Sequence, residues 1–186
     1  MIETRRLILR QWRDSDCAPF AAMNADADVM RHFPAPLTRE ESDALANRIA
    51  AVIDARGYGL FALERRDDGA FIGFTGLWDV AFPCPVNGEV EIGWRLCRDA
   101  WGRGYATEAA LAALDFGFDG LLLPRIVSFT TTTNAASQAV MRRIGMERRE
   151  ALDFDHPRID PASPLRRHVV FVAERVNWTL PSTRLS

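Results

Sequence analysis

The chain has 186 residues, 48% of them apolar, 26% charged and 10% aromatic, with a formal net charge of -2. Length and composition describe one soluble globular domain over residues 1–186, able to bury roughly 70% of its unfolded surface without a disulfide or metal staple. All 23 basic residues are arginine, which excludes pyridoxal Schiff bases and a phosphate-loop lysine, and the slightly acidic balance speaks against a nucleic-acid surface.

In chain order, the short apolar run Leu7 to Trp12 reads as a strand, and the polar cluster Arg13 to Asp16 opens a short helix. Prolines break the segment from Met30 to Pro36. Thr38 with Glu41 three residues on forms a capping box for a helix that runs to Arg56 and ends at Gly57. Gly59 to Arg65 and Ala70 to Val80 are strands joined by the turn Asp67, Asp68, Gly69.

Glu89 to Cys97 alternates, with Val90, Ile92, Trp94 and Leu96 on one face and Glu89, Glu91 and Arg95 on the other. A glycine-containing loop, Trp101 to Ala106, opens a helix to about Phe118 with a small-residue face of Ala106, Ala109, Ala110 and Ala113. Arg125 to Thr132 is a β-branched strand. Asn134 turns the chain into a helix from Ala135 to Ile144 that Gly145 stops. Met146 to about Asp153 and Arg166 to Asn177 read as two final strands around a proline-punctuated loop.

These elements predict an α/β (α+β) fold in which an antiparallel meander feeds strand-helix-strand units on one mixed sheet with both faces under helices. Three cysteines, Cys17, Cys84 and Cys97, are an odd, widely spaced set that suits a reducing cytoplasm. They read as buried small residues. No apolar stretch approaches the ~20 residues a span needs, so neither signal peptide nor membrane anchor is expected.

The chemistry concentrates in Arg98 to Glu108. Gly102 and Gly104 leave the backbone open, so consecutive amides from Gly102 to Ala106 can point at one anion, and a helix N-terminus adds about half a positive charge at the same place. A pyrophosphate suits that cradle, with Arg98 and Arg103 beside it. A dinucleotide fingerprint is a poor match, because Thr107 stands where the third glycine belongs. A purely structural glycine turn into a helix remains the plain alternative.

This segment resembles the acyl-CoA loop of the GNAT superfamily of N-acetyltransferases. Arg103, Gly104, Tyr105 and Ala106 fit that loop. The string Trp101, Gly102, Arg103, Gly104, Tyr105, Ala106, Thr107, Glu108 is similar to the ribosomal-protein alanine N-acetyltransferase (Rim type) branch. The likeness extends to Thr4 to Arg10, to Glu91 to Trp94 and to Asn134 to Gly145.

The resemblance implies a single GNAT-like domain. Its sheet would have about six to seven mostly antiparallel strands, flanked by about four helices and splayed between the fourth and fifth strands. It implies acetyl-CoA as co-substrate and an amine as acceptor, with no metal, nucleic acid or membrane partner, in a monomer or homodimer. Trp94, Arg95 and Leu96 would lie along the pantetheine arm, and Trp101 to Thr107 would hold the pyrophosphate. Asn134 would bond the arm or a water, and Ser137 would lie near the sulfur.

The attacking amine must be neutral, whereas a free α-amine titrates near ~8. Glu91 is the expected base, directly or through water, with a pKa raised by burial. Glu89 is the second candidate. The competing readings are that Glu91 pairs with Arg95, and that Asn134 or Ser137 only caps its helix. Arg142 and Arg143 could reach the 3′-phosphate of CoA, although two arginines on a helix read first as a solvated face.

The acceptor would be chosen by residues 29–36 and 154–165, with Phe33, Trp78 and Phe82 as an apolar wall and Asp153, Asp155 and His156 drawing an ammonium group. Asp155 is expected to pair with Arg166 or Arg167. A metal held by Asp153, Asp155, His156 and His168 has no familiar spacing. Against the Rim parallel, the long final loop suggests an acceptor other than a ribosomal N-terminus. The expected function is acetyl transfer to a protein N-terminal α-amine or a small-molecule amine; the alternative is a non-catalytic acyl-CoA-binding regulatory module.

Overall fold

A computed structural model describes residues 1–178; the last eight residues of the expected domain lie outside the described range. Nine strands are formed: β1 (Ile2–Glu3), β2 (Leu7–Arg10), β3 (Leu60–Arg65), β4 (Phe71–Asp79), β5 (Val90–Leu96), β6 (Arg125–Thr131), β7 (Glu147–Arg148), β8 (Phe154–Asp155) and β9 (Arg167–Glu174). The helices are α1 (Cys17–Ala25), α2 (Ala27–Met30), α3 (Arg39–Arg56), α4 (Tyr105–Asp115) and α5 (Ala135–Arg143). The sheet order is β1-β2-β3-β4-β5-β6-β9-β7, with β8 on β9.

Pairing is mostly antiparallel. The exception is the parallel contact of β5 with β6, whose register is the single pair Glu91 with Val127. A ladder that stops after one pair is the opening expected between the fourth and fifth long strands. The chain divides into two compact units, residues 1–78 with 93–113, and residues 79–92 with 114 onward.

In the first unit, α3 forms where the capping box predicted it. The Thr38 hydroxyl accepts from the Glu41 amide, the Glu41 carboxylate accepts from the Thr38 amide, and Gly57 closes the helix at φ 74°. Its buried residues Ser42, Ala46, Ile49 and Ile53 recur every three or four positions and so line one stripe. Phe20, Met23, Val29, Ala46 and Phe74 make the core here, with Trp12 packed edge-on to Phe20 at 4.7 Å.

The start of this unit is also held by charge. Arg10 is 5% exposed and Asp16 2% exposed. The guanidinium donates to both Asp16 oxygens at 2.7 and 2.9 Å and to Glu64 at 2.6 Å. Its pKa is raised, first by the Asp16 hydrogen bonds, against the opposing cost of burial.

In the second unit, β6 and β9 are antiparallel over seven residue pairs, from Arg125 with Glu174 to Thr131 with His168. Val127, Phe154, Val170 and Val172 pack with Val80 and Val86. Two expectations are corrected here. The strand predicted from Met146 to Asp153 is broken into β7, a 3-10 turn at Glu150–Leu152 and β8, because the Asp153 carboxylate accepts from the Val170 amide and from Arg148 and so occupies a ladder position. The helix predicted to continue to Phe118 leaves α geometry at Asp115 and ends in a π turn, Phe116–Gly120, that buries Gly117 and Phe118.

Candidate active site

The loop before α4 belongs to the first unit. Gly102 and Gly104 adopt φ of 73° and 78°, the left-handed region that suits glycine. A Cβ on Gly102 would meet nothing within 4 Å, so open space lies over this peptide. The first-turn amides of α4, from Tyr105 on, have no acceptor within their own helix, and Glu108 is the first to bond back, to the Gly104 carbonyl at 3.0 Å.

The loop is clamped from behind. Arg6 donates to the Arg103 carbonyl at 2.9 Å and lies 4.6 Å over the buried Tyr105 ring. The Glu108 carboxylate accepts from the Thr4 hydroxyl at 2.7 Å and from the Arg6 amide and Nε at 2.9 and 2.6 Å. Burial alone would raise the Glu108 pKa, but these bonds hold it below the usual value. The Trp101 indole donates to the Leu96 carbonyl at 2.9 Å and tethers the loop to the end of β5. Arg98 is exposed and pairs with Asp28 at 2.7 Å; Arg103, Ala106 and Thr107 stay accessible or partly so.

Arg95 departs from its simplest expectation. It does not pair with Glu91: its Nη1 donates to Asn24 Oδ1 at 2.6 Å, and its guanidinium lies over Phe33 at 4.1 Å and Phe74 at 5.4 Å. Trp94 and Leu96 occupy the alternate face, Trp94 half-buried and Leu96 buried.

The second unit holds Glu91, Asn134 and Ser137. Burial pushes the Glu91 carboxyl up to about 8, opposed only by a backbone hydrogen bond from Phe129. Glu89, two residues earlier, is instead neutralised by an ion pair with Arg125. Asn134 caps α5: its Oδ1 accepts from the Ser137 amide at 3.1 Å and its Nδ2 donates to Thr130 at 3.0 Å. The capping role is thus real for Asn134, and the Ser137 side chain remains half-buried on the first turn.

The Glu91 to Glu108 stretch therefore carries a carboxyl whose pKa burial raises to about 8 and a glycine loop that opens onto the first turn of a helix, in one continuous strand-loop-helix run. A profile of the acetyltransferase (GNAT) domain matches residues 6–147. The chain belongs to the GNAT acetyltransferase family. It is 30% identical over 148 residues to the uncharacterized N-acetyltransferase YnaD of Bacillus subtilis, covering 79% of this chain and 82% of that one. Its structure is similar to a GNAT-family acetyltransferase from Bacillus anthracis, with TM-score 0.78 at 24% identity over 94% and 98% of the two chains. It is similar in fold to Mycobacterium smegmatis RimJ solved with CoA-disulfide, with TM-score 0.73 at 19% identity over 96% and 87%.

The GNAT family uses acetyl-CoA, and an open peptide at Gly102 with first-turn amides unpaired within their helix is chemically suited to a pyrophosphate. Of the residues expected to line the acceptor, Phe33 and Trp78 belong to the first unit and Phe82 to the second. Phe82 packs on His156 at 4.8 Å and on Phe129 at 6.0 Å. The second unit also answers the charge questions of the final loop. Asp155 pairs with both Arg166 and Arg167, at 3.6 and 3.4 Å, and Asp153 is spent on Arg148 and the Val170 amide.

One further expectation changes. The three cysteines are free thiols but only half-buried rather than buried; burial pushes Cys97 up to about 11, so its thiolate is scarce. Arg142 and Arg143 are exposed, as a solvated face requires, and Arg142 bonds Gln138 at 3.3 Å and sits 5.4 Å over Phe171. Asn24 was missed from sequence, although an asparagine directly after the apolar run Phe20 to Met23 of α1 is a signal for a buried polar partner.

Proposed function

We propose that this GNAT chain, acting as one domain, is an N-acetyltransferase that moves the acetyl group of acetyl-CoA to a primary amine, either a protein N-terminal α-amine or a small-molecule amine. The observation that carries this reading is the loop: two left-handed glycines open onto the first turn of α4, clamped by Arg6, Tyr105 and Glu108. Amides of residues 102–107 hold the pyrophosphate, with Arg103 at its side. Backbone groups of Trp94 to Leu96 line the pantetheine arm as the strand leaves its partner. Acetyl-CoA supplies the activated thioester.

Glu91 supplies the proton acceptor. An ammonium cannot attack a thioester, so its proton must leave before or during transfer. A carboxyl with a pKa near 8 is matched to an α-amine of pKa ~8, so the proton moves between near-equal partners. Asn134 fixes the first turn of α5, and the Ser137 hydroxyl there is the donor available to a departing thiolate. The free, non-paired thiols suit a reducing cytoplasm, and no helix among the described residues is long and apolar enough to cross a membrane.

The test is thiol release from acetyl-CoA across an amine panel, followed as a function of pH. The expected kcat/KM rises as pH passes through about 8, and Glu91→Gln lowers it by about 10²–10⁴-fold, the usual worth of a positioned base. In that variant only the limb due to the amine remains. Acetyl-CoA binding without release for any amine would favour the binding module instead.

A further inference from the structure

Among the described residues Arg95 makes one hydrogen bond and no ion pair. Its Nη1 is spent on Asn24 Oδ1; its Nε is buried and has no partner. Asn24 is itself fully buried and locked, because its Nδ2 donates to the Ser42 hydroxyl of α3 at 2.9 Å. A rigid, neutral partner therefore aims the guanidinium without neutralising it. Phe33 and Phe74 lie against the guanidinium, so its in-plane N–H edge is the part left for a guest.

The site is reachable. Phe33 is 38% exposed, and it sits on the proline-bounded segment after α2, pinned by Phe33 N–H to the Met30 carbonyl at 2.8 Å and Leu37 N–H to the Asn24 carbonyl at 2.9 Å. A desolvated charge with no counter-ion is costly, and folded chains keep one chiefly where a ligand completes it. Desolvation alone lowers the Arg95 pKa to about 10, with no carboxylate acting on it.

We propose that Arg95, positioned by Asn24 and Ser42 and covered by Phe33, is a receptor for a carboxylate carried by the amine acceptor. The inference deepens the acetyltransferase reading and rests on it: the substrate class becomes amines that bear a carboxylate. A planar carboxylate matches the planar fork and balances its single charge. A phosphate dianion would leave one negative charge uncompensated beside two aromatic rings.

The experiment compares L-amino acids, their carboxamides and aminoalkylphosphonates as acceptors, by thiol release at saturating acetyl-CoA, in the wild type, Arg95→Gln and Arg95→Lys. The wild type is expected to prefer the carboxylates over the carboxamides by about 10- to 100-fold in kcat/KM, the worth of hydrogen bonds to a charged group. Arg95→Gln is expected to raise KM for carboxylates by that factor and to bring the preference close to one, while the carboxamides, read at the same saturating acetyl-CoA, keep their KM. Arg95→Lys restores part of the preference.

Equal use of acids and amides by the wild type overturns the proposal. So does a preference for the phosphonates, or an Arg95→Gln effect of equal size on both sets. Should the wild type bind acetyl-CoA yet release no thiol with any amine, the acetyltransferase reading fails instead. Calorimetric titration of the same amino acids into the CoA-bound protein then decides Arg95: binding lost in Arg95→Gln upholds the carboxylate site, and no binding overturns it.

Discussion

Two guanidinium groups of the first unit are desolvated and treated in opposite ways. Arg10, at the end of β2, meets both oxygens of Asp16 and one of Glu64, and its pKa is raised. Arg95, at the end of β5, meets one amide oxygen and two rings, and its pKa is lowered to about 10. The same side chain is a completed structural joint in the first place and an uncompleted charge in the second. What separates structure from function here is whether the protein itself supplies the counter-ion.

The contrast breaks most sharply at Asp16. Asp16→Ala should leave Arg10 buried with Glu64 as its one remaining carboxylate among the described residues and the Gln11 carbonyl beside it, and loss of one partner of a buried pair costs about 3–5 kcal/mol. Urea unfolding is expected to show the midpoint falling with the slope unchanged. A loss below 1 kcal/mol would mean that Arg10 is no more dependent on its acids than Arg95.

A second, smaller effect contrasts the two carboxyls of β5. Glu89 is paired with Arg125, whereas the Glu91 pKa is raised from 4.5 to about 8 by burial. For a carboxyl raised in the folded state, that state binds the extra proton, so stability falls as pH rises between about 4.5 and 8 and is level above. Thermal unfolding across that window is expected to show this decline in the wild type and a flatter profile in Glu91→Gln. Identical profiles would place Glu91 in solvent.

The smallest effect is at Arg95. Arg95→Met removes a desolvated charge but also leaves Asn24 Oδ1 without its donor, and these opposing changes are expected to cancel to within about 1 kcal/mol. A loss as large as that of Asp16→Ala would make Arg95 a structural joint like Arg10.

Much of this was legible in the sequence, for local reasons. Thr38, Glu41 and Gly57 specify α3 through cap chemistry that acts within one turn, and Asp67 to Gly69 specifies the β3 to β4 hairpin in the same way. The Trp101 to Glu108 string also reads locally, since glycine conformation and helix amides need no distant partner. Glu91 was legible as a carboxylate on an alternating strand, but its pKa depends on packing that no spacing reveals.

The misses share a cause. A Glu91–Arg95 pair is the competing reading that strand spacing offers, yet Arg95 turns to Asn24, 71 residues away. The break of the strand after Met146 depends on Asp153 reaching the Val170 amide, 17 residues on. Sequence pattern gives the elements and the local cradle, whereas the fate of each charge is set by which residues meet across the fold.

The central claim, that the loop holds acetyl-CoA, is tested most directly by calorimetric titration of acetyl-CoA into the wild type and Gly104→Asp. Gly104 has φ 78°, and an aspartate there adds backbone strain and a negative charge beside the first-turn amides. The account predicts saturable one-site binding to the wild type and none to the variant, with circular dichroism showing both folded. Equal binding by both proteins, or no binding to the wild type at millimolar acetyl-CoA, would contradict it.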